Sequence, residues 1–261
     1  MTVPNITLND GRTIPQLGFG VFQIYPSETK AATLAALEVG YRHIDTAEMY
    51  GNDAGVGEAI AESGLDRSDI FVTSKLNNGF HKRDDALKAF DGTLEALKQD
   101  YVETWKALEE IHASGRAKSI GVSNFQQPHL ERVLDEGSVV PVVNQIEVHP
   151  YLTQDALREF GVSKGIHTEA WSPIAQGGVL KDETITEIAE RVGKTTAQVT
   201  LRWHIQRGDI VFPKSVTRSR VEENFDLFDF ELTDADVAAI TALNKDERTG
   251  PNPDEFNYIP S

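Results

Sequence analysis

The 261-residue sequence predicts an α/β protein whose strands form a parallel β/α barrel, and three observations carry that expectation. Short apolar or β-branched runs alternate with longer helical patterns from Gln16 to Leu243, as the repeated strand-then-helix units of a parallel sheet require. The length matches one barrel domain, which runs to about 250 residues. The rival architecture, an open doubly wound sheet, would carry G-x-G-x-x-G at its first turn. Neither that motif nor the phosphate-binding G-x-x-x-x-G-K-[ST] occurs.

Ile6 to Leu8 and Thr13 to Ile14 read as a hairpin turning at Asn9-Asp10-Gly11, and Gln16 to Gly20 is the first barrel strand. A helix opens at Pro26 and Ser27, carries Ala31, Leu34, Ala35 and Leu37, and stops at Gly40. Strands are expected at Arg42 to Asp45 and Ile70 to Lys75, each followed by a helix, around Val56 to Ser63 and from Arg83 to Leu97. Later strands fall at Ser119 to Ser123, Val142 to Glu147, His167 to Ala170 and Ile210 to Pro213. Helices at Pro128 to Asp135, Gln154 to Glu159, Glu183 to Arg191, Thr196 to Gln206, Ser219 to Phe225 and Thr233 to Leu243 fill the intervals. The chain, 1–261, reads as one domain with an N-terminal hairpin over 5–14 and a Pro-rich tail over 245–261.

One place breaks the alternation. Between the helix ending at Leu97 and the helical pattern Trp105, Leu108, Ile111 stands only Lys98-Gln99-Asp100-Tyr101-Val102-Glu103-Thr104, too polar for a buried parallel strand. The count is therefore seven barrel strands, with the fourth missing.

Composition excludes several function classes. Lys plus Arg number 25 against 41 Asp plus Glu, a net charge of −16, and no basic run is long enough to grip a phosphate backbone. No nucleic-acid partner is expected. Cysteine is absent, which removes disulfides, iron–sulfur clusters, thiolate zinc sites and a cysteine nucleophile, and fits a reducing cytoplasm. Met1-Thr2-Val3-Pro4-Asn5 lacks the basic start and apolar core of a signal peptide, and no stretch reaches about 18 apolar residues, so no membrane partner is expected. The seven histidines show neither H-x-x-x-H nor H-E-x-x-H, and no metal site is expected. His43 and His149 read as core or strand-end residues, whereas His81 lies near the expected site. A monomer is the default expectation.

Barrel chemistry sits at the C-terminal ends of the strands. The second barrel strand ends in Asp45, with Tyr50 five residues on, and the third ends in Lys75. A phenol of pKa about 10 is a sluggish acid at neutral pH, but an ammonium beside it stabilises the phenolate. Lys75 would then tune Tyr50, with Asp45 holding Lys75 charged. The competing reading is a buried Asp–Lys pair that merely satisfies itself beside a surface Tyr.

A second constellation, Pro213-Lys214-Ser215-Val216-Thr217-Arg218-Ser219-Arg220, leaves the last strand and enters a helix, with Glu223 and Asn224 one turn later. Cations and hydroxyls at a helix start after the last barrel strand can bind phosphate; a solvated helix start is the alternative. Trp171, in Glu169-Ala170-Trp171-Ser172-Pro173-Ile174-Ala175-Gln176-Gly177-Gly178, could stack on a planar cofactor or simply pack. Ser123, Asn124, Asn144 and Gln145 supply groups able to bind a carboxamide.

Taken together, Gly18-Phe19-Gly20, Tyr41-Arg42-His43-Ile44-Asp45-Thr46-Ala47, Tyr50-Gly51-Asn52, Gly121-Val122-Ser123-Asn124-Phe125, Val143-Asn144-Gln145-Ile146-Glu147, Trp171-Ser172-Pro173 and Pro213-Lys214-Ser215 resemble the aldo-keto reductase family, from Ile6 to Asn244 and in family order. Within it the chain looks most like the bacterial 2,5-diketo-D-gluconate reductase group. The resemblance implies a (β/α)8 TIM barrel that binds NADPH and reduces aldehydes, ketones or keto-sugar acids by direct hydride transfer, a small-molecule carbonyl being its substrate. Tyr50 would be the general acid, with Lys75 and Asp45 as its partners. Ser123, Asn124 and Gln145 match positions that hold the nicotinamide carboxamide, and Trp171 matches an aromatic that stacks on the ring. Ser172, Gln176 and Gly177 belong to the same expected cofactor surface. Lys214, Ser215 and Arg220 would grip the 2′-phosphate, with Val216 also on the cofactor surface, Glu223 and Asn224 would contact the adenine, and Phe22 would line the substrate pocket.

The family's fourth barrel strand ends in a His-Trp-Pro-like motif whose His orients the substrate carbonyl, and neither strand nor His is found before Glu103, a gap of about fifteen residues. The alternative function is therefore a catalytically impaired NADPH-binding protein. A third reading is a barrel acting on sugar phosphates through Lys214.

Overall fold

The computed structural model of the chain describes residues 2–76 and 101–255. Strands β1 (Asn5–Thr7) and β2 (Thr13–Pro15) form the expected antiparallel hairpin, with Ile6 opposite Ile14. It plugs one end of the barrel, where Leu8 and Ile14 pack with Val142, Val143, Ile210 and Phe212. Parallel strands β3 (Phe19–Gly20), β4 (His43–Asp45) and β5 (Phe71–Thr73) make one block. Strands β6 (Val122–Ser123), β7 (Val143–Glu147), β8 (His167–Trp171) and β9 (Ile210–Val211) make the other, also parallel. A parallel bridge between Leu17 and Val211 joins the blocks, supported by bonds from Gly18 N to the Val211 carbonyl and from Val211 N to the Gln16 carbonyl. The order around the wall is thus β5-β4-β3-β9-β8-β7-β6. Among the described residues no strand joins β5 to β6, and 101–104 are helical. The expected helix from Arg83 to Leu97 and the reserve residue His81 lie outside the described residues.

The helices are α1 (Pro26–Val39), α2 (Asp53–Glu62), α3 (Tyr101–Ala113), α4 (Gln127–Glu136), α5 (Asp155–Ser163), α6 (Glu183–Val192), α7 (Thr196–Gln206), α8 (Arg218–Phe225) and α9 (Asp234–Thr241). Capping boxes start α7, from Thr195 and Gln198, and α9, from Thr233 and Asp236. Helix α5 runs past its expected end. Gly161 lies inside it, where a Cβ would stand 3.0 Å from the Ile166 carbonyl, so the glycine permits close helix–strand approach instead of stopping the helix. Several strands are shorter than expected because the ladder pairs only two residues at one end of each: Phe19–Gly20, Val122–Ser123 and Ile210–Val211. Ala175–Lys181, between β8 and α6, forms a kinked 3-10 segment.

Side chains alternate along a strand, so His43 and Asp45 enter the interior at successive levels. The lower level is apolar, with the His43 ring edge-on to Phe71 and Phe212 at 5.2 and 5.5 Å. Its Nδ1 donates to the Pro15 carbonyl and its Nε2 accepts from Thr73 Oγ1. Burial pushes this imidazole down to about 4, which keeps it neutral. The upper level is polar and buried: Asp45, Gln145 and Glu169.

A buried ionic cluster holds the lower rim. Arg158 donates to Asp209 Oδ1 at 2.6 and 2.8 Å, His204 Nδ1 bonds Asp209 Oδ2 at 2.8 Å, and Arg207 pairs with Asp155. Burial alone would raise the Asp209 carboxyl, but His204 and Arg158 hold it below the usual range. Asp209→Ala strands those donors without their anion and is expected to cost about 3–5 kcal/mol. Urea unfolding of the variant measures the loss, and a change below about 1 kcal/mol would remove the cluster's structural role.

Candidate active site

The strand register builds the site. Asp45, last in β4, stands opposite Thr73 of β5, and Lys75 lies two residues farther on the same face. Its Nζ donates to Asp45 Oδ1 at 2.7 Å and to the Thr46 carbonyl at 3.0 Å. Burial would lower the Lys75 ammonium, yet Asp45, Tyr50 and Glu169 together lift it above the usual lysine range. Burial pushes the Asp45 carboxyl up, against the pull of Lys75 and Gln145. At 2.7 Å the two groups form a salt bridge.

A 3-10 turn, Glu48–Tyr50, follows β4 and brings the Tyr50 ring centroid to 5.3 Å from Lys75 Nζ. Asn52 anchors the turn from beneath: it is buried, and its Nδ2 donates to the carbonyls of Val21 and Ile24. The loop so held carries Phe22, which is 53% exposed, with its ring 4.9 Å from that of Tyr50. The expectation that Lys75 lowers the phenol is corrected in its net direction. Burial, aided by Asp45, raises the Tyr50 phenol, and the pull of Lys75 offsets this only in part.

Gln145 on β7 connects this cluster to β8. Its Nε2 donates to Asp45 Oδ1 at 2.9 Å and to Glu169 Oε2 at 3.0 Å. Both amide hydrogens are used, so the side chain has only its carbonyl oxygen to offer a ligand. Asn124, after β6, is the reverse: its Oδ1 accepts from Trp171 Nε1 at 2.8 Å, which leaves the amide nitrogen to donate. A carboxamide, with one acceptor and two donors, matches that pair. Ser123 Oγ donates to the Gln145 carbonyl at 3.0 Å and so ties β6 to β7.

The residues after β8 and β9 form separate surfaces. Ser172 and Gln176 have left-handed backbones, φ 50° and 53°, and Gly177 follows with φ 94°. Lys214, Val216 and Arg220 are exposed, and Ser215 Oγ accepts from Thr217 N in the turn before α8. Arg218 pairs with Glu38 and Glu222. Glu223 accepts from Thr195 Oγ1, and Asn224 is half-buried on α8. Among the described residues no hydrogen bond joins this group to the Tyr50 cluster, and no cluster of metal-ligating side chains occurs. No helix among them is long and apolar enough to cross a membrane.

The aldo/keto reductase family pattern matches residues 16–245. The chain belongs to that family. It is 47% identical over 274 positions to an aldo-keto reductase of Mycobacterium sp. (strain KMS), covering 99% of each chain. It is 45% identical over 268 positions to the glyoxal reductase of Bacillus subtilis (strain 168), covering 97% of each. A mutant of Gox0644 solved in complex with NADPH matches with a TM-score of 0.91 at 44% identity, over 99% of this chain and 100% of that one. The fold is therefore that of the family's α/β barrels. The alignment with the mycobacterial relative spans 274 positions against 261 residues here, so at least 13 of them have no counterpart in this chain.

Sequence reasoning missed Glu169 and Glu147 as site residues; the available signal was an acid inside a strand buried on both faces. Glu147, at the end of β7, is buried and accepts from Thr249 N at 2.6 Å, Thr249 Oγ1, Gly250 N at 3.2 Å and His149 Nε2 at 3.1 Å. Burial would raise its carboxyl, but these donors hold it below the usual range. The C-terminal tail is thereby pinned across Trp171, against which Gly250 lies too close to admit a Cβ. Glu147→Ala should free the tail and speed tryptic cleavage after Arg248 by about tenfold or more, as a local opening eased by over 1.4 kcal/mol requires. Limited proteolysis with mass spectrometry checks it; an unchanged rate would show that the tail is held elsewhere.

Proposed function

We propose that the protein is an NADPH-dependent reductase of small aldehydes and ketones, dicarbonyls foremost, with Tyr50 as proton donor. The observation that carries this reading is the ionic Lys75–Asp45 pair set beside the Tyr50 phenol, next to exposed Phe22. NADPH, when bound, supplies the hydride that reduces the carbonyl carbon. Gln145 and Asn124 supply the acceptor and donor for its carboxamide, and half-buried Trp171 a flat face for its ring. Lys214 and Arg220, which have no ion-pair partner among the described residues, supply the charge for the 2′-phosphate. Ser172, Gln176 and Gly177 complete that surface, and Glu223 and Asn224 flank the adenine.

Proton transfer follows from the environment of Tyr50. Burial keeps the phenol protonated at neutral pH, the form an acid needs. An alkoxide forming at the carbonyl oxygen is far more basic than a phenolate, so transfer runs downhill, and Lys75 stabilises the phenolate left behind. The glyoxal reductase name of the Bacillus relative favours small dicarbonyl substrates.

We further infer that the chain lacks the fourth barrel strand and its carbonyl-orienting His. The absence of a His-Trp-Pro-like sequence before Glu103 and the unmatched alignment positions support this. It also favours the second reading, a protein that binds NADPH without efficient turnover. Methylglyoxal reduction together with an NADPH titration discriminates: turnover supports the reductase, and binding without turnover supports the alternative.

Tyr50→Phe is expected to lower kcat by about 10²–10⁴ and leave NADPH affinity within about twofold. Near-normal turnover would overturn the assignment. Neutralising Lys214 and Arg220 should weaken NADPH by about tenfold or more per charge and leave NADH unaffected. Equal weakening of both cofactors, read by fluorescence titration, would remove the 2′-phosphate role.

A further inference from the structure

Glu169 sits at the centre of β8, 1% exposed, and takes no part in the mechanism above. Its Oε2 accepts from Gln145 Nε2, while its Oε1 has no hydrogen-bond partner among the described residues. The charged groups facing it are Asp45 from β4 and Lys75 after β5; β7 presents neutral Gln145, and Ile210 of β9 lies beside its backbone. Neutral His43 lies one level below Asp45 on β4.

A carboxylate buried with one oxygen unsatisfied is costly unless a positive charge comes near it. Lys75 is already bonded to Asp45 and serves Glu169 only at longer range. Gln145 stands between Glu169 and the carboxamide site, and the nicotinamide ring carries a positive charge only in its oxidised form. Building on the NADPH reading, we propose that Glu169 is a positioning residue for the cofactor. It fixes the Gln145 amide with its carbonyl toward the carboxamide, and its negative charge favours the oxidised ring over the reduced one.

The charge state is set within the working range. Burial first, and then the Asp45 charge, push the Glu169 carboxyl up to about 7, against the Gln145 hydrogen bond and Lys75. Below that pH the group is neutral and does not discriminate; above it the anion stabilises the cation. NADP+ should therefore gain on NADPH as pH rises, and bound NADP+ should reciprocally make Glu169 more acidic. The 2′-phosphate is common to both forms and cancels in their ratio.

The test is a pair of binding titrations, NADP+ and NADPH, followed by protein fluorescence from about pH 6 to about pH 8.5, on either side of the transition. In the native chain Kd(NADP+)/Kd(NADPH) should fall about three- to tenfold, the scale of one partly screened charge pair. Glu169→Gln keeps an acceptor for Gln145 and removes the charge, so its ratio should be flat while NADPH affinity at low pH stays within about twofold. Glu169→Ala removes the acceptor too, so its ratio should also be flat, with both forms weakened about equally relative to Glu169→Gln. Circular dichroism establishes that the variants fold, and if the alanine variant does not, the native and glutamine profiles decide. A native ratio independent of pH, or a glutamine variant that keeps the native slope, overturns this inference alone. Failure of both cofactor forms to bind the native chain overturns the NADPH reading and this inference with it.

Discussion

The buried ion pair between Lys75 and Asp45, 2.7 Å long, is the constraint on which the mouth of the barrel depends. Two charges taken from water are tolerated only with close pairing and further hydrogen bonds, and the strand ends provide both. Asp45 terminates β4, Lys75 follows β5 on the same face, and Gln145 reaches across from β7 to the same carboxylate oxygen. Tyr50, Gln145 and through it Glu169 are all placed by reference to that pair. A shift of β5 by one residue would turn Lys75 out of the interior and leave Asp45 buried and unpaired.

Around this pair the interior separates into levels of different chemistry. The apolar level of His43, Phe71 and Phe212, sealed below by the hairpin, lowers the dielectric beneath the polar level and so strengthens each interaction in it. The Asp209 cluster at the lower rim does structural work of the same kind, fixing the start of β9 to α5 and α7. The polar upper level stores reactivity, because its carboxyls exceed its cations. Asp45 takes the ammonium, and Glu169 is left with only an amide.

The surface proposed to meet the cofactor is assembled from elements far apart in sequence. Asn124 is oriented by Trp171, Trp171 is covered by the tail at Gly250, and the tail is held by Glu147. The two amides, Asn124 and Gln145, present opposite polarity because each has already used one kind of group inside the protein. Such internal satisfaction orients a ligand without a movable side chain having to choose.

Much of this was legible in the chain itself. Strand-and-helix alternation, the hairpin at Asn9-Asp10-Gly11, and the spacing of Asp45, Tyr50 and Lys75 are local properties, set by period, turn chemistry and strand ends. The direction of the Tyr50 shift was not legible, because burial is a sum over neighbours from several strands, and it outweighs Lys75. Nor was the extension of α5 through Gly161, which depends on the Ile166 carbonyl facing it. By itself the sequence determined the barrel class, the family pattern and the residue types at the mouth. Tertiary structure alone decided how those groups are paired and charged. Glu147, Gln145 and Glu169 take their roles from partners 102, 100 and 24 residues away, contacts that only strand register and chain closure bring together.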